Sequence, residues 1–119
     1  NWEVDGQGVW LVDMKNVDVI NNTINSGAAA LSTQSFEEGL ISGNNLFSTN
    51  GRGLYLYDTH NTSVSGNIAS STSTYGAVVM LSTHNTLTNN TFASTNGVGL
   101  WEYQSSDNIF SNNIIIPPR

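Results

Sequence analysis

Apolar residues recur along this chain at a fixed interval of 22 to 23 residues. The clearest marker is an asparagine that follows each short apolar run; its five copies are Asn22, Asn44, Asn67, Asn90 and Asn113. The residue three positions before this asparagine and the residue two positions after it are apolar in every copy. Five aligned copies, with a single one-residue shortening, indicate a protein built from stacked repeats.

Each repeat contains three short segments with strand character. Alternation with a period of two marks the first segment, as at Leu54 and Leu56,. A second segment precedes the repeated asparagine and a third follows it. The connections, such as residues 70–74 and 94–97, are poor helix formers, which argues against the helical return of a leucine-rich repeat,. We therefore predict an all-β fold, a right-handed parallel β-helix (solenoid), as a single domain over residues 1–119 with coils at about 8–29, 30–52, 53–75, 76–98 and 99–119.

The position just before the repeated asparagine predicts a tight bend in every coil. It holds only Asn or Gly, at Asn21, Gly43, Gly66, Asn89 and Asn112. These two residue types adopt a left-handed backbone at the lowest cost. The asparagine that follows would then point inward. We expect its amide to stack from coil to coil and to satisfy backbone groups left over at the bend.

Two segments carry a resemblance to a known family. Residues 53–67 read GLYLYDTHNTSVSGN and residues 81–92 read LSTHNTLTNNTF. They resemble the β-helix repeats of the pectate-lyase-like superfamily, and most of all the NosD-type repeats of bacterial and archaeal surface and periplasmic proteins. The resemblance covers nearly the whole chain and implies the fold. It implies little about function, because the superfamily includes lyases, hydrolases, epimerases and non-catalytic surface modules.

The outer side of the first strand is predicted to carry an apolar band. Its two columns are Trp10, Ser32, Tyr55, Val78, Trp101 and Val12, Gln34, Tyr57, Met80, Tyr103. A strand exposed on one face should alternate with polar residues, and a contiguous apolar stripe marks an interaction surface. The candidate binding residues are Trp10, Tyr55, Tyr57, Trp101 and Tyr103. Surface aromatics that merely favour β-structure are the alternative.

Two kinds of partner would suit this band. Another protein surface, either a copy of the chain or adjacent coils of a longer chain, would bury the rings as anchors. A polysaccharide would stack its sugar rings on them. The chain begins with Asn1 rather than Met, which we expect of a processed chain or of a segment from a longer protein.

Charge and composition exclude several classes of partner. Lys15, Arg52 and Arg119 are the three cations, and the formal net charge is −6. Nucleic-acid binding needs clustered Lys and Arg, so we expect none. Arg52, in the middle of the stack, is expected to be a solvated turn residue. Cysteine is absent, and no apolar run is long enough for a membrane span,. We expect no cofactor, and a location outside the cell or on its surface.

The turn after the first strand carries a polar column with Glu38, Asn61, His84 and Asp107 in successive coils. Oxygen ligands there would suit a cation, and a carboxylate with an imidazole would suit acid–base chemistry. The alternative, which we favour, is a solvated turn. In that case Lys15 would pair with Glu37, and Glu37 with His60, across neighbouring coils. We expect no metal site.

Glu102 is the third candidate for acid–base chemistry, beside Glu38 and His84. It falls in the inward column of Leu11, Thr33, Leu56 and Val79, where a charge would not be left alone,. Either the last coil is open and the carboxylate reaches water or a partner, or the residue has a catalytic role.

Three Asn-x-Ser/Thr sequences provide candidate glycosylation sites at Asn21, Asn61 and Asn89,. The sequence as a whole favours a non-catalytic extracellular module that associates with itself, in a filament or surface layer, or that binds glycan. A fragment of a polysaccharide-active lyase, hydrolase or epimerase is the alternative. Three cations argue against an acidic substrate.

Overall fold

The computed structural model describes residues 2–4 and 8–117. Within these ranges it contains sixteen short strands and no helix. In chain order they are β1 (Trp2–Val4), β2 (Val9–Lys15), β3 (Asp18–Ile20), β4 (Thr23–Ser26), β5 (Leu31–Glu37), β6 (Leu40–Ser42), β7 (Asn45–Ser48), β8 (Leu54–His60), β9 (Ser63–Ser65), β10 (Ile68–Ser71), β11 (Tyr75–Met80), β12 (Thr86–Thr88), β13 (Thr91–Ser94), β14 (Val98–Tyr103), β15 (Ile109–Ser111) and β16 (Ile114–Ile116).

Every third strand stacks on its counterpart, so the strands form three parallel sheets. Sheet 1 has the order β14-β11-β8-β5-β2, sheet 2 the order β15-β12-β9-β6-β3, and sheet 3 the order β1-β4-β7-β10-β13-β16. Each coil therefore contributes one strand to each sheet, and the chain winds about five turns. This arrangement confirms the predicted all-β parallel β-helix.

The register of the sheets agrees with the repeat alignment. In sheet 1, Leu31 pairs with both Val9 and Leu54, and Ala77 pairs with both Leu54 and Leu100. The inward columns form one continuous core, in which the largest fully buried side chains include Leu31, Ile41 and Phe92. Because apolar residues at equivalent positions stack on one another, a shift of one residue would turn core side chains outward.

Three columns of left-handed residues shape each coil. Within the described residues, thirteen non-glycine and two glycine residues have φ values between 48° and 68°, which makes three such residues in each of five coils. The predicted column is confirmed, with φ of 56° at Asn21 and 68° at Gly43. The other two columns were not predicted from the sequence. One runs through Asp13, Ser35, Asp58, Leu81 and Gln104, and the other through Asn16, Glu38, Asn61, His84 and Asp107.

The repeated asparagine forms the predicted ladder. The side-chain oxygen of Asn67 accepts the backbone N–H and the side-chain amide of Asn44, both at 2.9 Å. The Asn67 amide donates to the Ile41 carbonyl at 2.9 Å and to the side-chain oxygen of Asn90 at 3.0 Å. Asn44, Asn67 and Asn90 are each 1% exposed, so these bonds replace water at the bend,.

A second ladder supports the corner beside the turn column. Asn85 donates its side-chain amide to the Thr59 carbonyl at 2.9 Å and to the side-chain oxygen of Asn108 at 3.0 Å. Its own oxygen accepts the backbone N–H of Thr62 at 3.0 Å. The sequence did not suggest this ladder, because the earlier coils carry Val17, Gly39 and Thr62 in the same column.

Leu81 has an unfavourable backbone that a substitution should relieve. Its φ is 51°, yet it is neither Asn, Asp nor Gly, and its side chain is 40% exposed. The left-handed conformation costs ordinary residues about 1–2 kcal/mol. Leu81→Asn should therefore raise the free energy of unfolding by about 1 kcal/mol, measured by urea titration. Leu81→Ala, which lacks the short polar side chain that lets Asn adopt this backbone, is the matched control. An Asn variant no more stable than the Ala variant would contradict the left-handed assignment.

Candidate functional site

The five candidate binding residues lie on the outer side of sheet 1. Trp10, Tyr55 and Trp101 belong to one column of paired residues, and Tyr57 and Tyr103 to the next outward column along the strands. We call these five side chains the aromatic face. The geometric part of the prediction is therefore met, because the rings lie on one side of the solenoid. Their role in binding stays a prediction.

The aromatic face is extended by a ring that the sequence analysis missed. Tyr75, at the start of β11, stacks on Trp101 with ring centroids 5.2 Å apart and ring planes inclined by 20°. Trp101 also contacts Tyr103 at a centroid distance of 5.2 Å. Tyr75 precedes the period-two part of its strand, so alignment on the outward columns did not include it. The available signal was an aromatic residue directly before Gly76, at the beginning of a strand-like segment.

A second pair of rings lies in the middle coil. The Tyr55 and Tyr57 rings have centroids 6.0 Å apart and are tilted by 44°. The Arg52 guanidinium lies 4.6 Å from the centroid of the Tyr55 ring, within cation–π range,. The Tyr55 hydroxyl donates to Met80 Sδ at 3.6 Å. Arg52 lies between two strands, as expected of a turn residue, but it is half-buried because its guanidinium lies against this ring.

The outer band is partly covered by its own side chains. Val78, in the outward column between Tyr55 and Trp101, is completely buried, and Ser32 is 3% exposed. Tyr55, Tyr57 and Trp101 are half-buried. Trp10 and Tyr103 present the most surface, at 55% and 43% exposed. The aromatic rings therefore cover the small residues of sheet 1. The two most exposed rings, Trp10 and Tyr103, lie in the first and last coils.

A surface cavity of about 190 Å³ opens within the aromatic face. Trp10, Ser32, Gln34, Tyr55 and Tyr57 line it, together with Thr33. Its position follows from the sequence, because Ser32 and Gln34 are the two polar residues of the outward columns. The apolar outer surface of sheet 1 is interrupted at Ser32 and Gln34, and the cavity lies at this interruption.

A polar cluster lies farther along the same strands. Asp58 accepts a hydrogen bond from Ser35 Oγ at 3.0 Å and lies 2.8 Å from His60 Nε2. The backbone N–H of Thr83 donates to His60 Nδ1 at 3.2 Å, which assigns the ring proton to Nε2,. The hydrogen bond from His60, with a smaller contribution from Ser35, lowers the pKa of Asp58 below its usual value of 3.8,.

Two ion pairs differ from those expected. Lys15 Nζ lies 3.2 Å from Glu38 Oε1, where Glu37 was predicted as the partner. His60 contacts Asp58, not Glu37. Both Glu38 and Asp58 have a left-handed backbone, which redirects their side chains relative to a regular strand. The hydrogen bond and the charge of Glu38 raise the pKa of Lys15.

The structure does not bring Glu38, His84 and Glu102 together. Glu38 and His84 belong to one turn column but are two coils apart, about 9.6 Å by strand spacing,. Glu38 pairs with Lys15, and His84 Nε2 lies 3.8 Å from Asp107. Glu102 Oε2 accepts a hydrogen bond from Asn108 at 3.0 Å in the last coil. This last contact agrees with the interpretation of Glu102 as a carboxylate with a partner at an open end.

The three candidate glycosylation sites all lie on exposed bends. Asn21, Asn61 and Asn89 have φ values of 56°, 54° and 56° and are exposed. Their accessibility is compatible with modification, and their glycosylation stays a prediction.

The fold and the asparagine ladder define a parallel β-helix repeat protein. A family model described as periplasmic copper-binding protein (NosD) matches residues 2–117. The chain belongs to the NosD family, which confirms the resemblance drawn from its repeats. No curated protein and no solved structure matches it. The periplasmic description of the family is broadly compatible with the predicted location outside the cell or on its surface. Residues 2–4 and 8–117 include no helix that could cross a membrane.

The Asp58–His60 contact predicts a pH dependence of stability. Because the pKa of Asp58 is lowered in the folded chain, its contribution is complete above the unfolded value of 3.8 and is lost as the pH falls through the folded value,. Asp58→Asn should lower the free energy of unfolding near neutral pH by at most about 1 kcal/mol, since both side chains of the pair are partly exposed to solvent,. Urea titrations should find this difference shrinking below pH 3.8.

Asp13→Asn is the matched control for this experiment. Asp13 occupies the equivalent left-handed position in the first coil. If the two variants differ from the parent chain in the same way across the whole pH range, the specific bond between Asp58 and His60 would not account for the effect.

Proposed function

We propose that this chain is a non-catalytic β-helix module that binds glycan through the aromatic face. The observation that carries the proposal is the set of rings around Trp101. Tyr75 stacks on one part of this indole and Tyr103 contacts another, both at 5.2 Å. Such mutual packing holds the rings in place before a ligand arrives, which reduces the entropy lost on binding. Aromatic rings suit sugars because an apolar ring face is combined with a polar edge.

The length of the aromatic face suits an oligosaccharide. Trp10 and Trp101 lie in the first and last strands of sheet 1, four strand spacings apart. Four spacings amount to about 19 Å. Rings at both ends and in the middle of this distance would contact several sugar units in succession. Multiple weak stacking contacts along one chain of sugars would add to a useful affinity.

The charge distribution favours a neutral glycan. The formal net charge is −6, and Asp58 and Glu37 line a cavity beside the aromatic face. A polyanion would meet a negative potential there. Lys15 already pairs with Glu38, and Arg52 already lies against the Tyr55 ring. Neutral hexoses would avoid the repulsion and keep the stacking.

The positions of the candidate acid–base residues give no support to the alternative of a polysaccharide-active enzyme. Glycosidic cleavage by acid–base chemistry needs two groups that flank one bond. Glu38 and His84 each contact a different partner, and Glu102 contacts Asn108. A lyase, hydrolase or epimerase would therefore have to draw on other groups.

Copper, named in the family description, does not fit the side chains that the structure describes. Copper sites favour sulfur and imidazole ligands. Both ring nitrogens of His60 are engaged, by Asp58 and Thr83, and Met80 Sδ accepts the Tyr55 hydroxyl. No group of three or more His, Cys, Asp or Glu residues in the described ranges is placed to hold a metal ion. The proposal therefore assigns no metal to this chain.

Trp101→Ala should weaken binding of neutral oligosaccharides at least about tenfold, because one stacking platform and the contacts that hold it are lost. The affinity would be measured by calorimetry on hexasaccharides chosen from a glycan array. Phe47→Ala is the matched control, since Phe47 is 37% exposed but lies on sheet 3, away from the aromatic face. Equal affinities of the parent chain and Trp101→Ala would contradict the proposal.

Self-association is the second candidate, and an observation at the first coil favours it. An apolar cavity of about 310 Å³ there is lined by Val9, Leu11, Val17, Val19 and Ile24, among others. Strands β2 and β3 are edge strands, and such edges pair readily with further strands,. Sedimentation of the same purified proteins separates the two candidates. A monomer that binds glycan supports the first, and an oligomer without glycan affinity supports the second.

A further inference from the structure

The cavity in the aromatic face contains a polar group that the fold leaves unsatisfied. Ser32 is 3% exposed, and its Oγ has no hydrogen-bond partner. No other buried side-chain nitrogen or oxygen within residues 8–117 lacks one. Because buried polar groups are normally hydrogen-bonded, this exception needs an explanation. A buried hydroxyl without a partner destabilises the free protein.

Ser32 lies in a gap between two aromatic rings. It pairs with Trp10 on one side and with Tyr55 on the other, in adjacent strands. The two rings are therefore attached two strand spacings apart, about 9.6 Å. The small side chain between them leaves room, and the resulting cavity of about 190 Å³ also exposes Gln34.

The two rings on either side of this gap, Tyr55 and Trp10, differ in how many contacts fix their side chains. Tyr55 is fixed by Arg52 over its ring, by Tyr57 and by Met80 at its hydroxyl. Trp10 is 55% exposed, and among the described residues it stacks on no other ring. A rotation of the Trp10 side chain would widen the gap without disturbing the core. The Ser32 hydroxyl would then become accessible.

We propose that this gap is a subsite for one pyranose ring of a neutral glycan, with a sugar hydroxyl bonded to Ser32 Oγ. The proposal rests on the glycan-binding function proposed above and specifies its substrate. A pyranose suits the site because it offers apolar C–H faces to Trp10 and Tyr55 and hydroxyl groups to Ser32 and Gln34. The ligand is neutral because both polar groups of the site are uncharged, and the neighbouring cavity carries Asp58 and Glu37.

The proposal predicts that replacing Ser32 changes stability and glycan affinity in a way that a serine with a purely structural role would not. Ser32→Ala removes an unsatisfied hydroxyl from the free protein and a hydrogen bond from the complex. The variant should therefore unfold at the same or a higher urea concentration than the parent chain. Its affinity for neutral hexasaccharides (gluco-, manno-, galacto- and chito-configured) should fall about tenfold by calorimetry.

Ser82→Ala is the matched control. Ser82 is also buried, but its hydroxyl donates to the Met80 carbonyl at 2.8 Å and accepts the Thr59 N–H at 3.0 Å. Its replacement should lower the urea midpoint and leave glycan affinity unchanged. The opposite responses of the two serine variants would support the subsite.

The outcomes separate this inference from the function on which it rests. If Ser32→Ala binds neutral hexasaccharides as tightly as the parent chain while Trp101→Ala does not, the subsite is wrong and the glycan-binding function stands. Tighter binding of oligogalacturonate than of the neutral set would overturn the assignment to neutral sugars. A parent chain that binds none of these glycans would overturn both.

Discussion

The hydrogen bonds of the buried asparagine column are the constraint on which the rest of the molecule depends. At each bend the backbone turns left-handed, and some of its groups, such as the Asn44 N–H and the Ile41 carbonyl, bond to an asparagine side chain. The side chain of Asn67 supplies partners on both sides, by accepting from Asn44 and donating to Ile41 and Asn90. Because each amide bonds to the next, the coils are linked along the axis at a fixed height and in a fixed register.

That register determines the surface as well as the core. Once each bend is fixed, equivalent residues of successive coils lie one strand spacing apart, and an outward aromatic residue in one coil lies over its counterpart in the next. The contact between Trp101 and Tyr103 lies within one strand, β14, and Tyr75 reaches Trp101 diagonally from the neighbouring strand β11. The same register places Ser32 between Trp10 and Tyr55, so that a small residue opens a gap. The proposed sugar site is thus a consequence of repeat geometry.

The features that the sequence predicted are those that the repeat enforces in every coil. Asn or Gly at the bend and the inward asparagine both follow from period and steric preference, and strand alternation places the aromatic residues on the outer side. The features that the sequence could not predict occur in a single coil or depend on a contact with a neighbouring side chain. Leu81 has no intrinsic preference for its left-handed backbone, and stacking on adjacent coils imposes it. Arg52 over Tyr55, and Glu38 in place of Glu37 beside Lys15, depend on side-chain directions that such bends change.

The most direct test of this account compares two asparagines of the middle coils. Asn67→Ala would remove four side-chain hydrogen bonds and leave buried partners unsatisfied,. Asn45→Ala would remove an exposed side chain from β7. By urea titration, the first should lower the free energy of unfolding by about 3 kcal/mol or more and the second by less than about 0.5 kcal/mol. Equal and small losses for both variants would contradict the central role of the ladder.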